Sequence, residues 1–71
     1  MSDSTRILEF ISFCIEMCAC RDSISGRDVL SRFRRFGVLE YLERNYETLH
    51  TQGFGYILPM IDDYIARQEA K

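Results

Sequence analysis

The sequence predicts an all-α fold, a compact bundle of three to four helices with one irregular connection at about 46–55. Three observations carry this expectation. Ile7, Leu8, Ile11, Cys14, Ile15 and Cys18 recur at the three-and-four spacing of one helical face. Ser25 and Gly37 bracket a second apolar-periodic run with start and stop signals. The 71 residues hold no internal repeat, low-complexity tract or Gly/Ser-rich linker, so one helical domain spanning 1–71 is expected.

The first helix is expected at about 4–20. Asp3 or Ser4 is its candidate cap, and Phe10, Phe13 and Met17 add a second apolar stripe beside the first. Only the narrow line through Glu9, Ser12 and Glu16 is then left for water. Such a helix is central or has a partner on both sides. The second helix, 26–36, begins with Ser25 and Asp28 in a capping-box-like spacing, with Asp in place of the usual Glu or Gln. Val29, Leu30, Phe33 and Phe36 form its inner face, and Gly37 supplies the left-handed stop.

A third helix, 38–45, follows from Val38, Leu39, Tyr41 and Leu42, with Asn45 as a C-cap that tolerates positive φ. From Tyr46 to Gly55 the helical period disappears. Thr48, Thr51, Gly53 and Gly55 favour an extended or turning connection there. Ile57, Leu58, Ile61, Tyr64 and Ile65 then predict a last helix at about 56–68, with Pro59 suited only to its first turn.

Composition bounds the function classes. Hydrophobic residues make up 46% and charged residues 28% of the chain, the balance of a folded domain. A domain this small buries roughly 60% of its unfolded surface, and its core supplies only about 3–5 kcal/mol. The net charge of -2 exerts no overall attraction for nucleic acid. Charge is nevertheless uneven, with a basic excess confined to 21–35 between two acidic flanks. Neither a signal peptide nor a membrane span is expected, since Glu9, Ser12 and Glu16 interrupt the longest apolar run. The three crowded cysteines are expected to be reduced thiols in a cytoplasmic protein.

Candidate chemistry is sparse. Cys14, Cys18, Cys20 and His50 could in principle make a Cys3His zinc site. Cys14 and Cys18, however, lie on an apolar helix face, where cysteine behaves as a small hydrophobe, so no metal or other cofactor is expected. A thiol nucleophile would have only His50 for a base and no orienting group behind it. Asp62 and Asp63 are adjacent and diverge by about 100° on a helix, which suits solvent better than a shared substrate. Gly53-Phe54-Gly55 lacks the lysine and the strand of a phosphate loop, and a tight turn into the last helix accounts for it. Non-enzymatic function is the resulting expectation.

Two surfaces remain as candidate contacts. Arg27, Arg34 and Arg35, within a wider set that includes Arg21 and Arg32, form a basic stripe on the second helix. A helix-turn-helix reading of Ser25 to Arg44 would use it on DNA, but Glu40 and Glu43 on the second helix of that unit would face phosphates. The other candidate is Tyr41, Tyr46, Leu49, His50, Thr51, Gln52 and Gly53, an apolar anchor and hydrogen-bonding side chains in and before the irregular connection. Local capping explains His50, Thr51 and Gln52 equally well.

Phe36-Gly37-Val38-Leu39-Glu40-Tyr41-Leu42, then Asn45-Tyr46 and Leu49-His50-Thr51-Gln52-Gly53, together resemble a family of short bacterial helical proteins known only as a domain of unknown function. The Phe10 to Glu16 run and Ile24-Ser25-Gly26 extend the likeness, which covers Phe10 to Ile65. Members of that family are often encoded beside a small ADP-ribosyltransferase-like protein, an arrangement similar to a toxin and its antidote. The resemblance implies an accessory or neutralising protein partner. Pro59 departs from the family pattern, in which the last helix runs through uninterrupted. The expected function is therefore a protein-binding module, with a small DNA-binding regulator as the alternative and a homodimer compatible with either.

Overall fold

The computed structural model describes residues 3–71 and contains five helices and, among the described residues, no strand. They are α1 (Asp3–Asp22), α2 (Gly26–Phe36), α3 (Val38–Arg44), α4 (Tyr46–Leu49) and α5 (Phe54–Glu69). Asp3 and Ser4 lie within α1, so a cap for that helix falls outside the described residues.

The buried side chains come from every helix: Cys14 and Cys18 from α1, Val29 and Phe33 from α2, Val38 and Leu42 from α3, Leu49 from α4, and Ile57, Leu58, Ile61 and Ile65 from α5. They form one cluster. α1 meets α2 most extensively and also lies on α3 and α5, which is the central position its two apolar stripes suggest. The Cα radius of gyration is 11.6 Å, close to the roughly 11 Å of a densely packed chain of this length.

The helix ends explain where the chain turns. Ser23 takes φ 56° after α1, and the Ile24 N–H donates to the Ala19 carbonyl at 3.1 Å. This is a Schellman-type closure with serine at the left-handed position that glycine normally occupies. Ser23→Gly is accordingly expected to stabilise the domain by about 0.5–1 kcal/mol, read as a rise of a few degrees in Tm. The Asp28 N–H donates to Ser25 Oγ at 3.1 Å, capping α2, and Gly37 at φ 71° turns it directly into α3. Asn45 ends α3 by another route than expected. Its φ is -107°, in ordinary territory, and its side-chain Nδ2–H donates to the Tyr41 carbonyl at 2.8 Å.

Three further sequence expectations change. The connection at 46–55 is partly helical, because the Leu49 and His50 N–H groups close a turn on the Asn45 and Tyr46 carbonyls at 2.9 Å each. Tertiary burial of Leu49 outweighs the weak propensity of its threonine neighbour. The last helix starts at Phe54, which puts Pro59 in its interior. Pro59 cannot donate to Gly55, but both residues are exposed, so the Gly55 carbonyl is free to meet water. Finally, the apolar surface of α1 is not fully covered. Leu8 is 65% and Phe13 57% exposed, and Met17 also reaches solvent.

A salt link fastens the end of α1 to α5. The Arg21 guanidinium donates to both carboxylate oxygens of Asp62 at 2.8 and 3.0 Å and to Asp22 at 2.9 and 3.1 Å. These bonds hold Asp22 below the usual carboxylate range and raise Arg21 further. Asp63 pairs instead with Arg67 one turn along α5, at 2.9 Å. The two adjacent aspartates thus serve different arginines, as their divergence on a helix requires.

Candidate functional site

The segment 46–53 is held from both sides. Leu49 is only 1% exposed and anchors α4 in the core, so it positions the segment and offers no surface of its own. Outside, His50 Nδ1 lies 2.8 Å from the Tyr46 carbonyl. A carbonyl only accepts, so Nδ1 carries the proton and Nε2 is left as the acceptor of the neutral ring. Thr51 Oγ1 donates to the Thr48 carbonyl at 3.2 Å, and the Gln52 N–H to Leu49 at 2.9 Å. Gly53 precedes α5 and accepts from the Tyr56 and Ile57 N–H groups. His50 and Thr51 therefore satisfy carbonyls at the end of a single turn, while the Gln52 side chain projects outward.

This local order arranges an aromatic surface. Tyr46 makes a T-shaped contact with Phe10 of α1 at a centroid distance of 5.5 Å and an interplanar angle of 75°. Its ring is stacked on His50 at 4.5 Å and 14°. Phe13, one turn along α1, sits 6.3 Å from Phe54 at the start of α5. The second stripe of α1 thus runs beside the segment 46–54 without being buried by it. Tyr41 is drawn elsewhere, stacked on Tyr64 at 4.2 Å, and burial raises its phenol above the ordinary value.

Of the residues expected to meet a partner, the structure joins Tyr46 and His50 in one stack with Thr51, Gln52 and Gly53 following. Tyr41 lies in a separate pair, and Leu49 lies beneath the surface. Phe10, Phe13 and Phe54 complete the surface and are absent from the sequence-based set. The signal of Phe10 and Phe13 was present as the second stripe of α1, but only folding puts that stripe next to α4 and the start of α5.

The basic stripe is smaller than its sequence suggests. Arg21 is occupied by Asp22 and Asp62, and the Arg35 guanidinium lies 5.2 Å over the Phe36 ring. Arg27 and Arg34 are exposed and make no ion pair among the described residues. A single residue, Gly37, separates α2 from α3, whereas a helix-turn-helix uses a turn of three to four residues. Glu40 and Glu43 are exposed on α3.

Cys14 and Cys18 are buried core residues and Cys20 is exposed. Burial, reinforced by Cys18, pushes the Cys14 thiol from 9.0 up to about 12, and burial also raises Cys18. Both stay protonated near neutrality, which suits packing and opposes nucleophilic chemistry. Among the described residues no three His, Cys, Asp or Glu side chains converge on a common metal position. A thiol reagent at pH 8 is expected to modify Cys20 rapidly and the other two only in denaturant. Rapid reaction of all three would contradict the burial. The linkage has a definite sign. The folded thiol at Cys14 holds its proton where the unfolded one has lost it, so its contribution is full below pH 9 and disappears as pH rises toward 12.

No described helix is long and apolar enough to cross a membrane. No curated protein and no solved structure matches the chain. A family match covers residues 9–68, which include the Val38 to Leu42 and Leu49 to Gly53 motifs, and the family is described as a protein of unknown function. Nearly the whole chain is spanned, and it belongs to that family, DUF3791.

Proposed function

We propose that this chain is a non-enzymatic protein-binding module that docks through the aromatic surface of Phe10, Phe13, Tyr46, His50 and Phe54. The observation that carries the reading is the stacked Tyr46–His50 pair, set on Phe10 and continuous with the 57%-exposed Phe13. Aromatic side chains dominate the energetics of protein interfaces because they bury much area at small entropic cost. Leu49 and the local capping bonds hold this segment in one conformation before binding, which lowers the cost of association.

The partner implied by the family resemblance is an ADP-ribosyltransferase-like protein encoded beside this chain, with the domain in an antitoxin-like or accessory role. Mixing the two purified proteins at micromolar concentration and following them by size-exclusion chromatography and calorimetry tests this. A stoichiometric complex is expected. Tyr46→Ala and His50→Ala should weaken it by about tenfold or more while the helical circular dichroism is retained. Absence of a complex, or a complex indifferent to both substitutions, would sink the reading.

A small DNA-binding regulator is the rival, resting on exposed Arg27 and Arg34. It predicts salt-dependent DNA retention that falls when Arg34 and Arg35 are neutralised. The short α2–α3 turn and the two glutamates on α3 weigh against it. A symmetric dimer is compatible with either function and is read from the solution mass.

A further inference from the structure

The flank of α1 opposite the aromatic surface is also uncovered, and its shape and charge select a different occupant. Ile7, Ile11 and Ile15 form a ridge at four-residue spacing along α1, with Leu30 of α2 and Leu39 of α3 facing it. All five are half-buried. Between them lies an open groove of about 490 Å3, edged by the exposed Leu8 and by Glu40 and Glu43 of α3. Among the described residues, Ser4 and Ser12 are its other polar lining and no lysine or arginine lines it.

We infer that this groove receives an amphipathic helix of a partner protein, with aliphatic anchors on one face and Lys or Arg beside them. The inference rests on the protein-binding reading but concerns a separate surface. Ridges of this spacing accept the side-chain rows of another helix. From Ser4 to Ile15 the floor extends about 16 Å, three turns of such a helix. Glu40 and Glu43 make no ion pair among the described residues. Glu9 and Glu16 lie just across Leu8 and Ser12 on the outer face of α1. A cationic segment complements this edge. A second copy docking groove to groove would set the same carboxylates against each other about a two-fold axis, so the occupant is another protein.

The probe is a labelled peptide of about four helical turns with leucines at i, i+3, i+4 and i+7 and lysines flanking them, titrated into the full chain by fluorescence anisotropy. A control peptide carries glutamates for the lysines. The lysine peptide is expected to bind about tenfold or more tighter than the glutamate peptide. Glu40→Lys with Glu43→Lys should reverse that preference, and amide shifts should concentrate at Ile7, Ile11, Leu30 and Leu39. Leu8→Ala, at an exposed site, should weaken binding with the fold intact. Equal affinity for both peptides, an unreversed preference, shifts centred on Phe13 and His50, or a dimer that masks the groove would each overturn the inference. Tyr46→Ala should leave peptide binding unchanged, so failure here and failure of the aromatic docking surface are told apart.

Discussion

Phe33→Ala is expected to leave the chain largely unfolded at 25 °C. Phe33 is 1% exposed and is the largest fully buried side chain of the cluster shared by all five helices. Truncating a buried phenylalanine costs about 3–5 kcal/mol, from lost transfer free energy and from the cavity left behind. A core of this size supplies only about 3–5 kcal/mol in total, so the substitution removes nearly all of it. The prediction is checked by far-ultraviolet circular dichroism and urea titration, which should show weak helicity and no folded baseline. A cooperative urea transition with a midpoint close to the parent's would mean that the domain is stabilised by something beyond this cluster. Phe36→Ala, at a half-buried position, should cost clearly less and retain a cooperative transition.

Leu49→Ala has the next largest expected effect and bears on function as well. Leu49 is the one buried residue of α4, a four-residue turn with no stability apart from what it is packed against. The substitution should cost about 2–5 kcal/mol and lower Tm by at least about 10 °C. It should also release the turn first. Hydrogen exchange at Leu49, His50 and Gln52, whose N–H groups close this segment, is expected to accelerate ahead of exchange in α1 and α2. Docking of a partner at Tyr46 and His50 should be lost in the same variant. His50→Ala removes the outer bond to the Tyr46 carbonyl and the ring stack but leaves the anchor, so it should weaken docking with little change in Tm. If Leu49→Ala melts like the parent, α4 is not held by the core.

The fold class was legible because the apolar spacing of α1, α2 and α5 includes the side chains each helix buries, and because Ser25 and Gly37 are local signals whose meaning needs no tertiary context. Gly37 adopts φ 71° where a left-handed stop was expected. Less legible was the region 46–55. Propensity describes an isolated chain, and a single turn of helix there depends on burying Leu49 and on the Asn45, His50 and Thr51 side chains that occupy nearby carbonyls. Pro59 misled for a related reason. Part of its cost within a helix depends on whether the orphaned carbonyl meets solvent, and exposure of Gly55 and Pro59 is a property of the packed structure.

Periodicity reports that a side chain is apolar, but not whether something covers it. Cys14 and Cys18 sit on the expected face and are buried, whereas Leu8 fits the same spacing and is 65% exposed. Residues on the flanks of a helix face are covered only where a neighbouring helix crosses closely enough, and the crossing depends on long-range packing. The same limit applies to the proposed docking residues. Tyr46 and His50 are one turn apart and meet through local geometry, but Phe10 joins them from α1 only because the bundle closes.

By itself, the sequence determined an all-α chain with caps at Ser25 and Gly37, a core on α1, α2 and α5, and cysteines suited to packing, since each of these follows from interactions over a few residues. Tertiary structure alone decided that the second stripe of α1 would meet the Tyr46–His50 stack and that its opposite flank would border an acidic-edged groove. Those surfaces bring together residues more than thirty positions apart, and no local preference encodes which of them a closing bundle leaves uncovered.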